Sequence, residues 1–419
     1  MKITMMVLTL ALLVGASQAQ ESVPLPCAPW RAFDAAQEPT TLLGEAQRRQ
    51  LIDEVLERVE RLHVDPEFDG VDLDELRQAY ASRIASARYD HEVVSHLEEM
   101  LAWVDAYFRT REELQQELAR ASFTGVGITI SILSDGHVLG VNYVFPGSPA
   151  EAAGLARGDR ILAVDERSAC PHPNDIRGPV GTDVTLTVAS PGQPPRRITI
   201  TRAAIAPNIP PRAVRLDEPG IGYLWPGSFA APGQSASIRA ALDDIGAFDA
   251  TDPLDGLVLD LRGAIGQNEQ ALIAIESLAG LFADGTFLQL IERSAVVPVV
   301  GTAQPERLDG VALVILVDAA TDGLHGMLAA ALQARKRAQV VGQPVHSTWR
   351  LYQFERLPDG SRVDVPFGEI ALVDGTRLRQ SGLIPDSVMA VDWRDYLEDD
   401  DPYVAEAIRL IRVGGIGTD

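Results

Sequence analysis

Three side chains of the kinds used in nucleophilic hydrolysis fall within one short stretch, Leu313 to Ala334: Thr321, Asp322 and His325. A hydroxyl attacks a carbonyl well only when a base takes its proton, and an imidazole oriented by a carboxylate is a common base. Thr321 and His325 stand four apart, a spacing that puts two residues on one helical face. The stretch itself is an apolar run, a polar corner and an Ala/Leu-rich run, which predicts strand, turn and helix. Such a corner lifts a side chain above a sheet beside unpaired helix N–H groups. The same residues also fit a plainer expectation, in which Thr321 or Asp322 caps the helix and His325 is an exposed helix polar. Ser347 with His346 or His325 is a weaker pairing, because neighbours on a strand point apart.

Other chemistries find less support. The seven histidines are scattered at 63, 91, 96, 137, 172, 325 and 346, and no Cys/His cluster has metal-ligand spacing, so no metal is expected. No G-x-G-x-x-G stands between a strand and a helix, and after residue 19 the only lysine is Lys336, so no cofactor is expected. With 36 basic and 59 acidic residues the formal charge is −23, which argues against nucleic-acid or anionic-membrane partners. Cys27 and Cys170 are the only cysteines; they could form a disulfide in an exported protein or remain separate thiols.

The elements around the corner follow from pattern. Lys2, the apolar run Met5 to Val14 and Ser17-Gln18-Ala19 make residues 1–19 a signal peptide, too short to span a bilayer, so the mature chain is expected to be exported, periplasmic or secreted, without membrane insertion. Residues 20–44, rich in Pro, Ala and Gln, read as a tail. From 45 to 120 the period is helical: Leu51, Ile52, Val55, Leu56, Val59 and Leu62 share one face, Asp72 starts a second helix with Glu75 reaching back, and a third runs from about His91 to Val104. At Phe123 the period becomes two, and 121–205 reads as short strands around "PGSPAEAAGLARGD". From 206 to 419 strands and helices alternate, which implies parallel crossovers and a sheet covered by helices.

The 121–205 segment resembles a PDZ domain through Gly125-Val126-Gly127-Ile128, Gly147-Ser148-Pro149-Ala150, Gly154-Leu155 and Gly158-Asp159-Arg160-Ile161-Leu162. Pro171 and Pro173 limit the helix beside its groove to a single turn from Pro173 to Arg177. Together with "VDAYFRTREEL", "GIGYLWPGSF", "GLVLDLRG", "RAQVVGQP" and "GLIPD", the order of segments resembles the carboxyl-terminal processing peptidases, or tail-specific proteases. The resemblance implies an α+β multidomain chain: an N-terminal helical segment, a PDZ-like β domain and an α/β crotonase-like peptidase core with a parallel-rich sheet. It implies that Gly125, Val126, Gly127, Ile128, Thr129 and Ile130 take an extended peptide as an added strand, the alternative being a packing or partner-docking role.

The family attacks with the middle serine of S-A-S-A-S-E and activates it with the lysine of F-G-K-G. Placed between Leu316-Val317-Asp318 and Ala329-Ala330-Ala331, this resemblance assigns the nucleophile to Gly323, the acid to Gly326 and the base to Thr348. Its oxyanion loop falls on Gly263-Ala264-Ile265-Gly266-Gln267, which keeps Gly266 but has Gln267 for the second glycine. A guanidinium cannot replace the missing amine, since Arg335 and Arg337 stay protonated. The expectation is a non-catalytic pseudopeptidase that binds polypeptide C-termini or a partner protein. The alternatives are an active endopeptidase with relocated residues and a structural subunit paired with an active paralogue, as a homo-oligomer or hetero-oligomer.

Overall fold

The computed structural model describes residues 44–119, 123–132, 138–165, 173–205, 209–229, 232–263, 269–318, 321, 323–346, 349–389 and 401–414. The expected signal peptide, the tail up to residue 43 and both cysteines lie outside them.

The helices Glu45–Leu62, Leu73–Ser86 and Asp90–Ala102 form where the 3.6-residue period predicts them. Their apolar faces meet in one cluster with Val55, Ile84, Leu97 and Met100 at its centre. Asp72 caps the second helix by accepting the N–H groups of Asp74 and Glu75, so Glu75 joins the cap through its backbone. His63 ends the first helix fully buried, its ring nitrogens 2.8 Å from the Asp65 carbonyl and 3.1 Å from the Val104 carbonyl. Burial, the largest influence, lowers its pKa below the usual value.

This segment is not purely helical. Tyr107–Arg109 is a strand that pairs antiparallel with Arg362–Asp364, and the helical cluster closes over Val363 and Val365. The C-terminal strands Arg350–Arg356 and Arg362–Ala371 form a hairpin that departs from the strand–helix alternation and lies in a separate antiparallel sheet with Thr286–Glu292 and Val296–Val300. The helical segment and the core therefore share a sheet, and the intervening β domain is an insertion between them.

That domain is a five-stranded antiparallel sheet in the order Ile128–Ile132, Leu139–Val144, Arg160–Val164, Asp183–Ala189, Arg196–Thr201. Val126, Leu139, Ile161, Leu186 and Val188 fill its interior. The predicted single-turn helix spans Pro173–Ile176.

The core sheet runs Ser387–Val388, Ala338–Gly342, Ala312–Val317, Gly256–Asp260, Ile221–Trp225, Arg212–Arg215, all parallel except the last pair. Its central strands are buried on both faces, as an all-parallel centre requires. Helices Gln234–Asp244, Glu269–Phe282 and Gly323–Ala334 cover one face and Pro402–Val413 the other. The strand carboxyl ends carry the corner that leads into Gly323–Ala334, the place where open α/β sheets bind ligands.

Candidate functional site

Strand Ala312–Val317 leaves the sheet at Asp318, and the helix begins at Gly323. Gly323 has φ +53°, a left-handed backbone that a side chain adopts only at a cost, as at the strained corner of hydrolases. Thr321, only 1% exposed, accepts the Asp318 N–H (3.0 Å) and donates to the Asp318 carboxylate (2.9 Å), with the Leu261 carbonyl at 3.3 Å. Its hydroxyl braces the turn against the neighbouring strand rather than capping the helix. No hydrogen bond joins it to His325, which is buried and stacked on Phe229 with ring centroids 4.8 Å apart. The two residues thus do not form the relay that their spacing allowed. His346 is exposed beside Gly382. Asp322, Ser347, Thr348 and Gly266 lie outside the described residues.

One turn into the helix, Gly326 faces the indole of Trp349. A Cβ at Gly326 would stand 2.8 Å from Cη2 and 3.2 Å from Cζ3 of that ring. Trp349 is 1% exposed and sits at φ +53°. Lys336 closes the far end of the helix in an exposed turn, about 18 Å along the axis from Gly323 for a twelve-residue helix.

Beside the corner lies a buried ionic cluster. Arg262 donates to Asp260 through Nε (2.9 Å) and Nη2 (2.7 Å) and to Asp401 through Nη2 (2.6 Å). Tyr223 donates its hydroxyl to Asp260 at 2.8 Å, and Arg157, from the inserted domain, reaches the same carboxylate at 3.0 Å. Burial would raise the Asp260 pKa, but Arg262 and Arg157 outweigh it and hold the carboxyl well below the usual range. Burial and the Asp260 charge push the Tyr223 hydroxyl well above its ordinary value. Tyr143, stacked on Trp225 at 3.8 Å, makes the second contact between the inserted domain and the core. A third lies at Gly263, whose Cβ would be 3.2 Å from Asn142 Cβ.

The peptidase family S41 model matches residues 220–389, a PDZ domain model matches 140–190, and the tricorn protease C1 domain model matches 45–102. A carboxyl-terminal-processing protease of Picosynechococcus is 31% identical over 352 residues, covering 79% of this chain and 80% of the relative. The chain belongs to the carboxyl-terminal processing peptidases. The Synechocystis carboxyl-terminal-processing protease is 29% identical over 83% of this chain and 82% of its own length. A solved photosystem II D1 C-terminal processing protease shares the fold, with TM-score 0.61 and 23% identity over 88% of this chain and 98% of that one.

In this carboxyl-terminal processing peptidase the PDZ domain carries an open groove of about 290 Å³ lined by Gly125, Val126, Gly127, Ile128, Thr129 and Ile130, with Ile176 and Arg177 on the opposite wall. Strand Ile128–Ile132 is the edge of its sheet, so its outer N–H and C=O groups are available to an added strand. Gly127 has φ +89°, and a Cβ there would meet Ser148 Cβ at 2.3 Å, so the turn that begins the strand requires glycine. Arg202 donates to the carbonyls of Ile176 (2.9 Å) and Asp175 (3.1 Å), which fixes the one-turn wall.

Trp349 and the Asp260 cluster are not evident from sequence because Gly326 is distant from Trp349 in the chain, as are Tyr223, Arg157 and Asp401 from the Asp260–Arg262 pair. The one sequence signal for the first is the tryptophan itself, a large side chain usually well buried, next to the assigned base position. Among the described residues no His/Cys/Asp/Glu group could hold a metal ion, and no helix is long and apolar enough to cross a membrane.

Proposed function

We propose that this peptidase homologue captures polypeptide C-termini without cutting them, and that it does so after export through the signal peptide 1–19. The observation that carries this reading is the corner. The position assigned to the nucleophile is a glycine, and the space that a side chain would need at the acid position, Gly326, is filled by the Trp349 indole. The Thr321 hydroxyl, two residues before Gly323, is committed to Asp318, and the one lysine of the mature chain stands at the other end of the helix. General-base activation of a hydroxyl therefore lacks both partners in the family's geometry.

The PDZ groove, in contrast, keeps an open edge strand, a glycine turn and a rigid wall. Incubation of the purified mature protein with unfolded and C-terminally tagged substrates between pH 5 and 9 is expected to give binding and no new peptide termini. Cleavage that persists in the wild type and disappears in His325→Ala would establish the relocated-site peptidase instead.

A further inference from the structure

The wall of the PDZ groove ends in a cation. Arg177 follows the single-turn helix Pro173–Ile176 directly, lines the groove and is exposed. Among the described residues no carboxylate pairs with it, whereas Arg202, which holds the same one-turn wall, is buried and engaged with Ile176, Asp175, Asp183 and Thr182. Those bonds hold the backbone on which Arg177 stands. Ile176, the residue before it, is locked into the domain interior at 3% exposure. The guanidinium is thus presented from a fixed base to a groove whose remaining lining is glycine, threonine, valine, isoleucine and phenylalanine.

An extended peptide added to Ile128–Ile132 alternates its side chains, so its last and third-from-last residues face the same way. The carbonyls of Val126 and Gly127 are taken by the N–H groups of Ala150 and Phe145, and the N–H groups of the glycine turn take no part in those bonds. They suit the terminal carboxylate, which leaves Arg177 for a side chain. We propose that Arg177 makes this groove selective for C-terminal segments carrying an acidic residue at the third position from the end, behind an apolar last residue. A guanidinium recognises a carboxylate with paired N–H donors, and an unpaired cation at an otherwise apolar groove discriminates by charge. The inference rests on the capture of C-termini proposed above and specifies which ones.

The test is fluorescence anisotropy of the full-length mature protein with two labelled decapeptides, identical except for Glu or Gln at the third-from-last position, each ending in valine. The Glu peptide is expected to bind about 3- to 5-fold more tightly, the range of a partly exposed ion pair, and the difference is expected to fade as salt is raised from 50 to 500 mM. In Arg177→Glu the order should invert, with a Lys-bearing peptide now preferred; in Arg177→Gln the two original peptides should bind alike. Equal binding of the Glu and Gln peptides by the wild type overturns the selectivity and leaves capture standing. Failure of every peptide to bind, with the variants folded by circular dichroism, overturns both.

Discussion

The PDZ groove and the strand-to-helix corner are both glycine-rich turns at the end of a strand, yet one is open and the other filled. At the groove, Gly127 turns the chain with φ +89° so that an edge strand begins with its hydrogen-bonding groups free. At the corner, Gly323 turns with φ +53°, and the volume beside the next helical turn belongs to Trp349. The same conformational freedom of glycine makes an open groove in one place and a packed core in the other. What separates them is the neighbour: a wall pinned by Arg202 at a distance, or an indole pressed against the helix backbone.

Removing the indole should break this contrast most strongly. Trp349→Ala opens a cavity against Gly326 and Val345 and is expected to cost about 3–5 kcal/mol, read as a fall in the urea midpoint, with peptide binding by the PDZ domain unchanged. Asp260→Asn should follow at about 3 kcal/mol, because Arg262 is left buried without its fully buried, two-point counterion; proteolysis between the inserted domain and the core should accelerate as the Arg157 contact is lost.

Gly326→Ala places a methyl in the indole's volume and is expected to cost about 1–3 kcal/mol as overpacking. Combined with Trp349→Ala, the cost should be well below the sum, a coupling that a double-mutant cycle measures directly. Gly323→Ser restores a hydroxyl at a left-handed position for about 1–2 kcal/mol of strain and is expected to yield no cleavage of a tagged substrate by mass spectrometry; release of a peptide would contradict the filled-corner reading.

The smallest effect concerns His63, in the helical segment far from both turns. Its folded pKa lies below the unfolded value of about 6.5, so between the two the unfolded chain binds more protons. Stability is complete above about pH 6.5 and should decline as pH falls below it. Urea midpoints at pH 7.5 and 5.5 should differ more in the wild type than in His63→Asn.

Much of the architecture was legible because it depends on local periodicity. The helices Glu45–Leu62, Leu73–Ser86 and Asp90–Ala102 form where the 3.6-residue period places them, and Pro171 and Pro173 foretold the one-turn wall. The parallel order of the core strands follows from their alternation with helices. The strand Tyr107–Arg109 was not legible, since three residues between helices form a strand only when Arg362–Asp364 offers an edge. At the corner, residue types suggested a relay of Thr321 and His325, but spacing along the chain could not reveal that Thr321 bonds Asp318 or that His325 stacks on Phe229. The Trp349 plug and the Arg157–Asp260 pair were hidden for the same reason, each joining positions separated by a loop or a whole domain.

The stack of Tyr143 on Trp225 at 3.8 Å places an aromatic of the inserted domain on the indole of the core. Any swing of the one body away from the other would expose that indole to solvent and shift its emission to the red. The protein thus carries a native optical gauge of that contact, readable without a label.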